Sequence, residues 1–401
     1  MKNKQLASVI LVVFIDLLGF SLILPLLPYY ATTFGATAFV TGLLVASYAA
    51  AQLVGAPILG RLSDRYGRRP ILLASVFGSA MGFVLLGFAE SLLILFVSRV
   101  VDGLTGGNLS VAQAYIADVT KAGERARGLG MIGAAFGLGF MIGPAAGGVL
   151  SQWGYHVPAL TAAALAFINL ILIYFWLPES LPVERRGVAA ARRPALSLSA
   201  LLAALHRPFT GALLITRFVY GVAFAVLQTI FSLYALTKFG LSAAHTGYIL
   251  AYVGVLSVIT QGFLVGRLTR RYREDVLILF CTGLHGASLA AWALAPSVPI
   301  LLLIIAPAAF SGGMLNTLLA STLTKAVDPT ETGGILGFSS AIESATRVIA
   351  PISGGALLQQ LGPWAPGTFG ALLMGGLLAY VRTAIYNHEI AQSLRNEGAG
   401  N

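Results

Sequence analysis

G-R-L-S-D-R-Y-G-R-R, Gly60 to Arg69, decides the fold of this chain, because a degenerate copy, G-R-L-T-R-R-Y-R, returns at Gly266 to Arg273. Each stretch follows an apolar run of membrane length, forms a compact basic turn and leads into another apolar run. The offset is 206 residues in a chain of 401. The repeat extends beyond the turn. Gly106-Gly107 returns as Gly312-Gly313 at the same offset, and Pro144 with Gly147-Gly148 returns as Pro351 with Gly354-Gly355 one residue further on. A chain built from two related apolar halves with paired signature turns is more readily a transporter than anything else.

Composition narrows the classes further. The chain is 57% hydrophobic and 10% charged, against roughly 25% charged in soluble proteins. That is too little polar surface for a water-exposed globule. A single cysteine, Cys281, excludes an intrachain disulfide and a thiolate metal cluster. The net charge of +10 sits in short turns between apolar runs, with no long basic face, so it sets topology and no nucleic-acid partner is expected. The chain has no G-x-x-x-x-G-K-[ST] and no H-E-x-x-H, and G-L-G-F-M-I-G lies in a helical run with no strand before it. No enzyme is expected. The first apolar run, Leu6 to Tyr30, contains Asp16, Pro25 and Pro28 and is read as a retained span rather than a cleaved signal.

Twelve runs reach the roughly 20 residues a crossing helix needs. They are 6–30, 40–60, 70–89, 91–117, 128–152 and 156–177, then 209–237, 243–266, 275–295, 298–325, 333–360 and 364–386. The expected organisation is a six-helix bundle over 1–180, a Pro- and Arg-rich cytoplasmic linker over 181–207, and a second six-helix bundle over 208–401. With the N-terminus in the cytoplasm, the even-numbered turns, the linker and both tails hold 21 of the 25 Lys and Arg residues. This asymmetry places both termini in the cytoplasm. Trp153, Trp176, Trp292 and Trp364 fall near helix ends, as interface anchors do.

These motifs resemble the major facilitator superfamily over essentially the whole chain. Gly60–Arg69 looks like that superfamily's loop between spans two and three, and Arg99 looks like its span-four arginine. In span five, Gly130, Gly139, Gly143-Pro144 and Gly147-Gly148 match the antiporter signature at each spaced position. With F-I-D-L-L-G-F near the start, the chain is most similar to the tetracycline-efflux-like branch of twelve-span drug:proton antiporters. The resemblance implies a central cavity between the halves, lined mainly by spans one, four, seven and ten with their repeats' partners, and alternating access by rocking. There are departures. Tetracycline exporters carry acids in spans three and nine, where this chain has Gly82 and His285, and their span-eight histidine falls on Ser257.

Intramembrane charges are the strongest site signal. They are Asp16 in span one, Arg99 and Asp102 in span four, Arg217 in span seven, and Glu343 and Arg347 in span eleven. Facing lipid, six charges would cost on the order of 15–20 kcal/mol, so they face protein or water. Asp16, Asp102 and Glu343 lie near mid-helix and are the candidate proton carriers, with Arg99, Arg217 and Arg347 as charge partners. Gln113, Gln228 and Asn316 are candidate substrate contacts. His285 is read as an interhelical hydrogen bonder. The basic turn, with Gly60, Asp64, Arg65, Gly67, Arg68 and Arg69, is read as a latch. Asp64 would face a helix N-terminus, and Asp118 would pair with Arg68 or Arg69. Gly143 is expected to resist enlargement, and Gly82, in a peripheral span, to tolerate it.

The reading is an all-α integral membrane protein of twelve helices in two pseudo-symmetric halves. It would export small organic, drug-like compounds in exchange for protons, from a bacterial inner membrane, as a monomer, with the proton gradient as energy source and no bound cofactor or metal. The alternatives are a proton symporter or facilitator of an organic solute and, remotely, a receptor or scaffold that transports nothing.

Overall fold

The computed structural model describes residues 2–120, 122–186, 198–328 and 331–387. Residues 187–197 of the expected linker and the tail from 388 lie outside the described residues. The rest is helical, with no strand among the described residues. The helices are α1 (Lys2–Ile23), α2 (Leu27–Thr33), α3 (Ala38–Tyr66), α4 (Arg68–Gly87), α5 (Leu92–Thr105), α6 (Asn108–Val119), α7 (Ala122–Leu150) and α8 (His156–Trp176). After the linker come α9 (Leu198–Leu205), α10 (Pro208–Phe239), α11 (Ala243–Ile259), α12 (Val265–Arg271), α13 (Glu274–Leu294), α14 (Val298–Lys325), α15 (Thr332–Leu361) and α16 (Ala365–Val381).

Eleven segments among the described residues are long and apolar enough to cross a membrane. The further helix is α15, which is long enough but interrupted by Glu343, Arg347 and a run of Ser, Thr and Gly. Together they make the twelve-helix fold. Breaks inside spans have local causes. Span one splits into α1 and α2 around Pro25, which cannot donate to the preceding turn. Span four splits into α5 and α6 at Gly106-Gly107, where Gln52 Nε2 bonds the freed Gly106 carbonyl at 2.8 Å. Its repeat, Gly312-Gly313, stays inside an unbroken α14. There Tyr220 donates to the Gly312 carbonyl at 2.7 Å. Span eight carries a π-turn at Thr260–Leu264 between α11 and α12.

By packing, the chain forms two compact units, Met1–Arg193 with Ser232–Val255, and Pro194–Phe231 with Leu256–Asn401. In the first, an aliphatic core runs from Val9, Val12 and Val13 through Leu44, Leu72, Val76 and Leu95 to Ile116 and Ile173. Asn169 ties α8 to the Val12 carbonyl at 3.0 Å, and Tyr29 meets Thr246 at 2.5 Å. In the second, Val222, Ala225, Val226 and Ala350 pack α10 against α15. Outside the spans, Arg207 binds both Glu331 oxygens, at 2.5 and 3.0 Å. These hydrogen bonds hold the Glu331 carboxyl below its ordinary range. Trp153, Trp176 and Trp364 are exposed near helix ends, as expected of anchors, whereas Trp292 is buried in the core of its unit. Its position near the end of α13 misled the anchor reading, because packing and not distance from the helix end decides what a side chain meets.

Candidate functional site

Two clusters hold the intramembrane charges. In the first unit, the break between α5 and α6 makes Asn108 the first residue of α6 and brings its side chain to α1. Its Nδ2 donates to Asp16 Oδ1 at 2.7 Å. Asp16 has no cationic partner among the described residues. Three residues apart on α5, Arg99 and Asp102 pair at 3.1 Å with side chains only 1% and 3% exposed. Arg99 also lies over the Phe83 ring at 5.6 Å. This pair is sealed from water and lies within one helix, so the bond itself joins no two helices.

In the second unit, Glu343 stands between two arginines. Arg217 Nη2 reaches Glu343 Oε2 at 3.0 Å, and Arg347 Nη2 reaches Oε1 at 2.7 Å. Arg217 Nη1 also bonds Asn316, at Oδ1 (2.8 Å) and at the backbone carbonyl (3.1 Å). Arg217 is largely buried, whereas the Glu343 and Arg347 side chains are 40% and 43% exposed. Of the candidate substrate contacts, Asn316 belongs to this cluster. Gln113 on α6 is exposed and Gln228 on α10 half-buried, and neither joins a charge cluster. His285 is buried and meets Ser311 Oγ at 3.0 Å, joining α13 to α14 as expected. Beside it stand the rings of Tyr220 and Phe224.

Arg68 is the hub of the basic turn. It pairs with Asp64 at 2.5 Å and with Asp118, at the end of α6, at 3.0 Å. Its Nη1 also donates to Ser63 Oγ. The Asp118 pairing is the expected one. Arg69 bonds the Tyr174 carbonyl and lies over that ring. Arg65 points outward over Tyr66, and Gly60 is buried. Gly67 has φ +107° and ends α3 where α4 begins. The sequence reading missed Glu179. Its carboxylate accepts the backbone N–H of Arg68 (2.8 Å) and Arg69 (3.2 Å), capping the N-terminus of α4. It also accepts the N–H groups of Ser180 and Leu181. The available signal was a lone acid in L-P-E-S, where a Pro-flanked turn returns toward a helix start.

The glycines of α7 divide by face. A Cβ at Gly143 would overlap Ser21 and one at Gly147 would overlap the Leu22 carbonyl of α1, while one at Gly139 would touch Leu17 at ordinary contact distance, 3.4 Å. The Ser21 hydroxyl occupies the space Gly143 leaves and donates to the Gly139 carbonyl at 2.8 Å. A Cβ at Gly148 would meet Ala243 and Ala244 at about 3 Å, and one at Gly247 would overlap the Pro144 carbonyl. Span five thus lies close against span one on one face and span eight on another. At Gly130 nothing among the described residues lies within 4 Å of where a Cβ would stand.

Comparison with known proteins fits this geometry. The Major Facilitator Superfamily model matches residues 9–351. The class C tetracycline resistance protein of Escherichia coli is 34% identical over 357 residues, 87% of this chain and 88% of that protein. The class H tetracycline resistance protein of Pasteurella multocida is 33% identical over 356 residues, with the same coverage of both. Among solved structures, the nucleoside transporter NupG superposes with a TM-score of 0.76 at 14% identity, covering 95% of this chain and 100% of that one. Eleven apolar spans with a twelfth long helix, a repeated basic turn and a glycine-lined fifth span therefore belong to a multi-pass membrane transporter, not an enzyme, and the chain is a member of the major facilitator superfamily.

Proposed function

We propose that this transporter exports small organic, drug-like compounds in exchange for protons by alternating access, from a bacterial inner membrane with its basic turns on the cytoplasmic side. The observation that carries the reading is the close packing of span five against span one and span eight through Gly139, Gly143, Pro144, Gly147 and Gly148. Flat contact faces let helices shift against each other between discrete packings. The tetracycline resistance relatives support a drug-like cargo. Arg68, bound to Asp64 and Asp118, would clasp the cytoplasmic ends in one of the two states.

Asp16 is the proposed proton carrier. Asp102 faces one arginine and Glu343 faces two, so neither carries an uncompensated negative charge. Asp16 faces a neutral amide, so only a proton neutralises it within the membrane. The test is transport in proteoliposomes with an imposed pH gradient, using a panel of drug-like compounds that includes tetracycline. Asp16→Asn is expected to abolish accumulation against a gradient while preserving exchange of labelled for unlabelled compound. Full gradient-driven transport by Asp16→Asn would move the role to Asp102 or Glu343.

A further inference from the structure

We propose that the Arg217–Glu343–Arg347–Asn316 cluster is an anion-binding site and that the carried compound is a small organic anion. This deepens the export reading by naming what is carried.

The first argument is charge. Two guanidiniums face one carboxylate, which leaves one positive charge near the middle of a membrane helix. Each Glu343 oxygen already accepts from an arginine, and an arriving cation would meet a surplus positive charge.

The second argument is that Arg347 is not a strut. Arg217 on α10 already ties Glu343 to α10 and, through Asn316, to α14. Arg347 sits four residues from Glu343 on the same helix, so its bond crosses no interface. An added charge at this depth costs about 2.5–3.5 kcal/mol on the lenient insertion scale if it faces lipid. The Arg347 side chain is 43% exposed, and that cost favours a water-filled space over lipid around it.

The third argument is which donors remain open. Arg347 uses one nitrogen on Glu343, leaving the rest of its planar fork free for a carboxylate or sulfonate. Asn316 is exposed and its Oδ1 is taken by Arg217, which leaves its amide N–H groups without a partner among the described residues. A lipid headgroup is the other source of an anion. Arg347 lies 15 residues into the 30-residue α15, roughly 22 Å from its start at 1.5 Å per residue, well inside the hydrocarbon zone.

The test uses three probes matched in size and differing in charge: 2-naphthoate, 2-naphthamide and 2-naphthylmethylamine, radiolabelled, in equilibrium binding to the purified full-length protein. Naphthoate is expected to bind at least about tenfold more tightly than the amide, the range of one charge-assisted hydrogen bond, and the amine more weakly still. Arg347→Gln should lose that preference and Arg347→Lys should retain most of it. Glu343→Gln should tighten naphthoate binding severalfold, which loss of a structural tether would not do. Added anionic phospholipid should leave naphthoate affinity unchanged, and competition by it would assign the site to a headgroup and overturn the proposal. Equal affinities, preference for the amine, absence of saturable naphthoate binding, or an unaffected Arg347→Gln would each overturn it. The direction of naphthoate movement under a pH gradient is read separately. Charge-selective binding with uptake rather than export would sink the export reading and leave the anion site standing.

Discussion

At the scale of the residue, the absence of a side chain matters as much as its presence. Gly143 leaves the volume that the Ser21 hydroxyl fills, and that hydroxyl ties α1 to α7. Gly143→Leu would drive a branched side chain into α1, and overpacking of this kind costs about 1–3 kcal/mol. Access states of a transporter differ by a few kcal/mol. The expected result is normal membrane insertion with transport lost, measured beside Gly375→Leu, where nothing lies within 4 Å of the missing Cβ. Equal turnover by Gly143→Leu and wild type would remove span five from the mechanism. Gly82 cannot serve as the permissive control its peripheral span suggested. A Cβ there comes within 2.8 Å of Asp102 Cβ and 3.1 Å of the Ser98 carbonyl. The place of the acid that tetracycline exporters carry in span three is thus packed against the side chain of an acid from span four.

At the scale of the element, helix ends and breaks position the charges. The start of α4 is held by Glu179, which satisfies two N–H groups that no helical partner reaches and sets a negative charge at the positive end of the helix dipole. Glu179→Ala is expected to destabilise the protein by about 1–2 kcal/mol, and Glu179→Gln by less, because the amide oxygen can still accept. Thermal unfolding of the purified variants by intrinsic fluorescence checks the order, and an equal effect of both changes would make the charge rather than the cap the cause. The α5–α6 break works differently. In a continuous helix Asn108 would sit in mid-span. The Gly106-Gly107 kink opens a new helix at Asn108, whose amide meets Asp16. The glycine pair was visible in the sequence as a repeat, but one copy breaks the helix and the other does not.

At the scale of the whole molecule, the two halves preserve a charged contact while reversing its sign. Arg68 at the start of α4 pairs with Asp118 at the end of span four. Glu274, 206 residues later at the start of α13, pairs with Lys325 at the end of span ten at 2.8 Å. The second turn has Arg270 where the first has Asp64, so the acid of the turn itself is not repeated. The contact between helix start and helix end survives with cation and anion exchanged. Glu274→Lys and Lys325→Glu should each destabilise the protein, and the double variant should recover most of the loss. Lys325 is 65% exposed, so the coupling in a double-mutant cycle should be about 0.2–1 kcal/mol. Additive losses would mean that the pair contributes nothing.

The sequence alone determined the span number, the internal repeat and the set of charges within the spans, because each follows from local physics. A run of about 20 apolar residues needs a bilayer, a basic turn stays out of it, and a charge inside it needs company. Pairings within one helix, Arg99 with Asp102 and Glu343 with Arg347, were legible from helical spacing. Tertiary structure decided which partner each charge takes across helices. Arg217 could have met any acid in the membrane, and only the packing of α10 against α14 and α15 brings it to Asn316 and Glu343. It likewise decided that Glu179 caps α4, that Trp292 is core, and that the span-five glycines face two different helices. Helix period fixes which residues share a face, but the neighbour that face meets depends on contacts tens to hundreds of residues apart, for which one sequence carries no local signal.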